Sequence, residues 1–297
     1  MSNSSIFAKK IDFMRLFKTV YDLQTYINDK KKQGKTIGFA PTMGALHQGH
    51  LSLIALANQK CDVSVVSIFV NPTQFNDPKD LEKYPRTEAK DIALLLDSAC
   101  DILFMPHVSE VYPTDYKPSV TLDFGALAHV MEGAFRPGHF DGMAQVVKRL
   151  LDIVQPDQLF MGQKDFQQFS IVQNMLMQLK SPIKIVMCPI VREADGLAMS
   201  SRNVRLPQNL RAKAPFIFET LTWALAQKDL LSPTKIASEG LKRLQISDFK
   251  PEYFEIVDGY TLQPIQDFSA HRFVVACVAT WLGDVRLIDN IVLKNEV

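Results

Sequence analysis

Two histidines three residues apart, His47 and His50, stand in the segment Pro41-Thr42-Met43-Gly44-Ala45-Leu46-His47-Gln48-Gly49-His50-Leu51. The residues before it, 36–40, read as a strand, and those after it, 51–60, as a helix. In a doubly wound sheet, ligands bind at the carboxyl ends of strands and anions collect at helix N-termini. Side chains three apart share a face at a helix start. Two imidazoles so placed can donate to phosphate oxygens and stabilise charge on a bridging oxygen without acting as general bases. Gly44 and Gly49 would let backbone approach a phosphate with no Cβ in the way. Taken alone, the same spacing also reads as a helix cap, a packing pair or a metal pair.

Three further segments carry chemistry. Asn71 and Gln74 follow an apolar run, 63–70, at what would be its carboxyl end. Neutral amides there can hydrogen-bond the hydroxyls and carboxylate of a small substrate. Gly162-Gln163-Lys164-Asp165 falls between a strand and a helix. Its lysine suits phosphate charge that grows at a transition state, and its aspartate suits ribose hydroxyls. Ser200-Ser201-Arg202 offers hydroxyls and a guanidinium to phosphate oxygens. Neither serine sits in a Gly-x-Ser-x-Gly elbow, which argues against a serine nucleophile.

The elements that must position these residues alternate. Strands are expected at 36–40, 63–70, 102–105, 158–161 and 183–188, with helices at 51–60, 88–99, 146–154 and 165–179 between them. Val63-Ser64-Val65-Val66-Ser67-Ile68-Phe69-Val70 is nearly all apolar and β-branched, as suits a strand buried on both faces. This alternation predicts an α/β fold, a Rossmann-like doubly wound parallel sheet, over residues 1–189. After Pro189 the pattern changes. Ala194-Asp195-Gly196 reads as a turn between two short strands, 208–227 and 233–244 as helices, and 253–257 and 273–279 as strands. A smaller C-terminal α+β lid domain is therefore expected over 190–297.

Bulk properties exclude other classes. A net charge of +1 over 297 residues gives no field for nucleic acid. No run of 18 apolar residues exists to span a membrane, and the N-terminus has no signal-peptide pattern. Cys61, Cys100, Cys188 and Cys277 form no CxxC pair and read as reduced, buried thiols of a cytoplasmic protein.

The histidine segment matches the His-x-Gly-His signature of nucleotidylyl transferases and class I aminoacyl-tRNA synthetases, where it binds ATP phosphates. The wider pattern resembles the pantoate–β-alanine ligases of that superfamily. The likeness runs through Phe69-Val70-Asn71-Pro72-Thr73-Gln74-Phe75, Asp80–Thr87, Glu132-Gly133, Arg136–Phe140, Phe160–Gln168 and Met199–Asn203. The resemblance implies an ATP-dependent, AMP-forming ligase that condenses pantoate with β-alanine through an acyl-adenylate, using Mg2+. It implies catalytic roles for His47, His50, Lys164 and Arg202. It implies ATP contacts at Pro41, Met43, His47, His50, Gly162, Lys164, Asp165, Met199, Ser200, Ser201 and Arg202, and pantoate contacts at Met43, Asn71, Gln74 and Gln168. Asp91 is the candidate for magnesium support; Lys90 stands where some relatives carry an acid. A homodimer is implied as well. Two alternatives remain: a transferase that leaves AMP on its product, and a non-catalytic nucleotide- or tRNA-binding module.

Overall fold

The computed structural model describes residues 13–72, 81–82, 84–117, 122–246 and 248–296. Six short strands form one parallel sheet: β1 (Arg15–Phe17), β2 (Ile37–Thr42), β3 (Val63–Ile68), β4 (Ile102–Phe104), β5 (Gln158–Gly162) and β6 (Lys184–Cys188). Their spatial order is β1-β4-β3-β2-β5-β6, with every pairing parallel. β3 is buried at all six positions, as its continuous apolar run demands. Helices cover both faces: α1 (Val20–Lys32), α2 (Gln48–Lys60), α3 (Glu88–Leu96), α4 (His139–Val154) and α5 (Phe166–Gln178). This is the expected Rossmann-like layer.

The chain beyond β6 builds a second layer. After the short helix Gln208–Arg211 come α6 (Phe216–Gln227), α7 (Pro233–Leu244) and the strands β7 (Phe249–Asp258), β8 (Phe273–Leu282) and β9 (Val285–Asn295). The helix expected over 208–227 is thus two helices. Pro215 lies between them, and a residue with no N–H ends one ladder and opens the next. β7, β8 and β9 form an antiparallel sheet in that order.

This sheet has no solvent face. Phe254, Ile256, Val274, Ala276 and Val278 pack with α6 and α7. Tyr253, Val257, Phe273, Val275, Cys277 and Ala279 join the core of the first sheet and its helices α4 and α5. The C-terminal strands are therefore docked on the nucleotide-type layer through a shared apolar core. No helix among the described residues is long and apolar enough to cross a membrane. All four cysteines are free and buried.

Candidate active site

From β2 the chain winds outward through β3 and β4 on one side, then returns to β5 and β6 on the other. The switch point lies between β2 and β5, which pair only at Gly38–Gln158 and Phe39–Leu159. Beyond those pairs a crevice opens at the carboxyl ends, where doubly wound sheets take ligands. A cavity of about 210 Å³ sits there, lined by Pro41, Met43, His47, His50, Gly162, Lys164, Asp165, Gln168, Met199, Ser200, Ser201 and Arg202. The structure thus gathers residues from three distant segments onto one wall. A larger neighbouring cavity of about 550 Å³ shares Met43, Lys164, Asp165, Gln168, Ser200 and Arg202 and extends to Arg286 and Asp289 of β9.

His47 caps the N-terminus of α2 and its Nδ1 accepts from the Gly49 N–H at 3.1 Å. The His50 Nδ1 accepts from the His47 N–H at 3.3 Å. With Nδ1 accepting in both rings, the proton of each neutral imidazole sits on Nε2. Burial pulls the His47 pKa down to about 4, with Lys164 adding to the effect. Burial pulls His50 to about 3, with His47 and Lys164 adding. Both rings are therefore neutral N–H donors at ordinary pH. Gly49 has a role beyond that expected of it: a Cβ there would lie 2.8 Å from Cε1 of His47, so the glycine makes room for the capping ring.

Asp91 has a structural task that its sequence position did not disclose. Its carboxylate is buried in α3 and faces the loop before α2. One oxygen accepts from the Ala45 N–H at 2.9 Å, the other from the Leu46 N–H at 2.8 Å and the Thr87 hydroxyl at 3.1 Å. A carboxylate so engaged holds the loop before α2 in place. Gly44, at φ 80°, brings the backbone past it, where a Cβ would lie 3.0 Å from Asp91 Oδ2.

Lys164 and Asp165 lie 3.6 Å apart on the turn leaving β5. Ser200 follows a hairpin-like segment in which Arg192 bridges Ala198 and the Met199 N–H donates to Val191 O. The two strands expected around Ala194-Asp195-Gly196 are reduced to that one bridge. Gln168, on α5, lines both cavities. Asn71 is buried instead; its Nδ2 donates to Gly142 O at 3.4 Å, and its Oδ1 accepts from the Tyr112 hydroxyl at 3.3 Å. It does not line either cavity. Gln74 lies outside the described residues. Arg136 donates to Glu132 at 2.8 Å and lies 3.1 Å from His139 Nε2, on the rim of the larger cavity.

The apolar wall was not foreseen. Tyr84 and, from α4, Met143, Val146, Val147 and Leu150 line the smaller cavity. The one available signal was the amphipathic period of α4, whose face reads equally well as plain core. Among the described residues no three His, Cys, Asp or Glu side chains cluster as a metal site. Neutral imidazoles, a lysine, hydroxyls and a guanidinium suit a polyphosphate instead.

A parallel sheet with such a donor set at its switch point defines a nucleotide-binding α/β protein. The family model described as pantoate-beta-alanine ligase matches residues 15–292. A pantothenate synthetase of Porphyromonas gingivalis is 49% identical over 282 residues, covering 94% of this chain and 99% of the relative. The crystal structure of pantothenate synthetase from Thermus thermophilus superposes with a TM-score of 0.88 at 38% identity, over 95% of this chain and 100% of that one. That of pantoate-beta-alanine ligase from Francisella tularensis, complexed with beta-gamma ATP and beta-alanine, gives 0.76 at 35%, over 94% and 98%. The chain belongs to the pantoate–β-alanine ligase family.

Proposed function

We propose that this protein condenses pantoate with β-alanine, driven by ATP, through a pantoyl-adenylate. The supporting observation is the crevice at the switch point, where Lys164, two Nε2–H imidazoles and the Ser200–Arg202 segment surround one cavity. In the first half-reaction a pantoate carboxylate oxygen attacks the α-phosphorus of ATP, and the bond to the β-phosphate oxygen breaks to release pyrophosphate. His47, His50, Lys164, Ser200, Ser201 and Arg202 stabilise the charge that gathers on the phosphates. In the second, the free amine of β-alanine attacks the acyl carbon, the bond to AMP breaks, and the amine proton leaves to solvent. Positioning and electrostatics suffice, with no covalent enzyme intermediate.

In this reading Pro41, Met43, Gly162, Asp165 and Met199 flank the nucleotide, with Asp165 accepting from ribose hydroxyls. Gln168 and Gln74 hold pantoate, and Met43 helps wall its pocket. Asn71 supports that pocket from behind, through its bond to Gly142 of α4. Magnesium would be held by the triphosphate beside these residues and would supply charge neutralisation there. The layer from 190 onward covers the crevice, which protects a hydrolysable intermediate from water. We place the enzyme in the cytoplasm as a homodimer, with no nucleic-acid or membrane partner.

The test is ATP-dependent pyrophosphate release with pantoate alone, then AMP release on adding β-alanine. Pyrophosphate that needs only pantoate, with AMP that needs both, supports the two-step ligase. A transferase would release pyrophosphate and never AMP. No pantoate-stimulated pyrophosphate from folded, ATP-binding protein would sink the substrate assignment.

A further inference from the structure

Strand β9 carries a polar dipeptide, Asp289-Asn290, at a place where the strand is buried: the two residues are 4% and 2% exposed. Buried polar groups are costly unless every bonding capacity is met. Here the partners come from the other layer. The Asn290 side chain donates to Gln163 O at 2.9 Å and to Lys164 O at 3.0 Å, and its Oδ1 accepts from Gln163 Nε2 at 3.0 Å. Both amide hydrogens and one lone pair of the amide oxygen are thus given to the turn that carries Lys164. Asp289 accepts both guanidinium nitrogens of Arg192, at 2.6 and 3.1 Å. Arg192 in turn donates to Gly196 O at 3.1 Å and lies 3.8 Å from the Phe218 ring centroid. That holds the hairpin whose return limb, Ala198 and Met199, leads straight into Ser200.

We propose that Asp289 and Asn290 are positioning residues for adenylation: adjacent residues of one C-terminal strand set the Lys164 turn and the Ser200–Arg202 arm in mutual register. This rests on the phosphate roles proposed above for those two segments. The dipeptide reaches no substrate itself through these bonds. It acts because an apolar strand would pack equally well but leave both arms free to shift, and a misplacement near 1 Å costs about 100-fold in rate. It also ties the docking of the C-terminal sheet to completion of the site, since neither arm has this anchor unless β9 is seated.

The test compares Asn290→Ala and Arg192→Lys with Val275→Ala, which trims the same sheet in its apolar contact with the first layer. Initial pyrophosphate release with pantoate and ATP is followed beside AMP release from pre-formed pantoyl-adenylate and β-alanine, and thermal stability is recorded for each protein. Asn290→Ala should lower kcat of the first step by roughly 10–100-fold, with the second step changed far less, because no triphosphate is held in it. Arg192→Lys keeps the charge but not the two-pronged geometry, and should raise the KM for ATP with a smaller loss of kcat. Val275→Ala should lower the melting temperature while leaving both steps near the parent rates. Asn290→Ala folded and within twofold of the parent in the first step overturns the proposal. So does an equal loss of both steps in all three variants, which would be the mark of a merely structural contact. If Asn290→Ala does not fold, Arg192→Lys decides by the same split. Parent-like pyrophosphate release in Lys164→Ala would overturn the phosphate role of Lys164 itself, a failure distinct from that of the anchor.

Discussion

The rings of His47 and His50 lie with centroids 4.0 Å apart, each held by a backbone N–H on its Nδ1. A helix cap and the proposed phosphate site are thus the same piece of chain. The bonds that close the first turn of α2 also choose the tautomer and leave Nε2–H for a ligand. The pairing of two rings with Lys164 nearby works only while both imidazoles are neutral, since three cations would repel.

The pH dependence of stability follows with a definite sign. Both histidines have folded pKa values below the unfolded 6.5, at about 4 and about 3. Below pH 6.5 the unfolded chain takes up protons that the folded protein refuses, so stability falls as pH drops toward those values. His50→Asn removes one such group and keeps a side-chain acceptor for the His47 N–H. Between pH ~6.5 and ~5, above most carboxylate titrations, its melting temperature should fall less steeply than the parent's. Parallel curves would contradict the neutral, buried assignment.

Gly49→Ala separates the cap from the chemistry. The new Cβ meets the His47 ring at 2.8 Å and forces it to turn. Loss of the cap costs about 1 kcal/mol, and the better helix propensity of Ala returns a similar amount. Stability should change little, while pyrophosphate formation drops by the ~2–4 kcal/mol of a lost charge-stabilising donor. Chemical denaturation beside the pyrophosphate assay checks both halves.

How far the sequence disclosed this molecule depended on whether each residue's partner was near in the chain. The parallel layer was legible because runs such as Val63–Ile68 are buried at every position. The grouping of His47, His50, Lys164 and Ser200–Arg202 was legible through the family resemblance, with the first two segments also placed at a strand end or a helix start. β9 was not: Asp289 and Asn290 interrupt its apolar period, and only partners at Arg192, Gln163 and Lys164 make them acceptable indoors. The loop-holding bonds of Asp91 were hidden for the same reason. An acid at a helix start looks like a metal or dipole partner until the loop that it grips, 45 and 46 residues away, is in place.

Asp91→Asn tests that grip. Its carboxylate accepts from Ala45 N, Leu46 N and the Thr87 hydroxyl. An amide would turn its NH2 toward one of these donors and leave it unsatisfied, at a cost of about 1–3 kcal/mol. The melting temperature and the adenylation rate should both fall. The magnesium concentration for half-maximal rate should stay as in the parent. A large rise in that concentration, with stability unchanged, would assign Asp91 a metal role instead.

Glu132 presents the sharpest electrostatic case. Its largely covered carboxylate receives Arg136 at 2.8 Å and Arg286 at 3.2 Å, while Arg286 also binds Glu252 at 2.8 Å. Burial alone would push its pKa up, yet Arg286 and Arg136 outweigh burial and hold it below the usual 4.5. Its contribution is then present above pH 4.5 and lost as pH falls through the folded value. Glu132→Gln leaves two guanidinium groups facing a neutral amide, at a cost on the order of 3–5 kcal/mol for a broken buried pair. Urea unfolding at about pH 7 should show that loss, and the gap between variant and parent should narrow as pH falls below 4.5, where the parent's unfolded chain takes up a proton that its folded carboxylate refuses. A gap that stays constant over this range would mean that the loss comes from shape and packing, and that the charge of Glu132 is not what joins the short helix Glu132–Phe135 to β9.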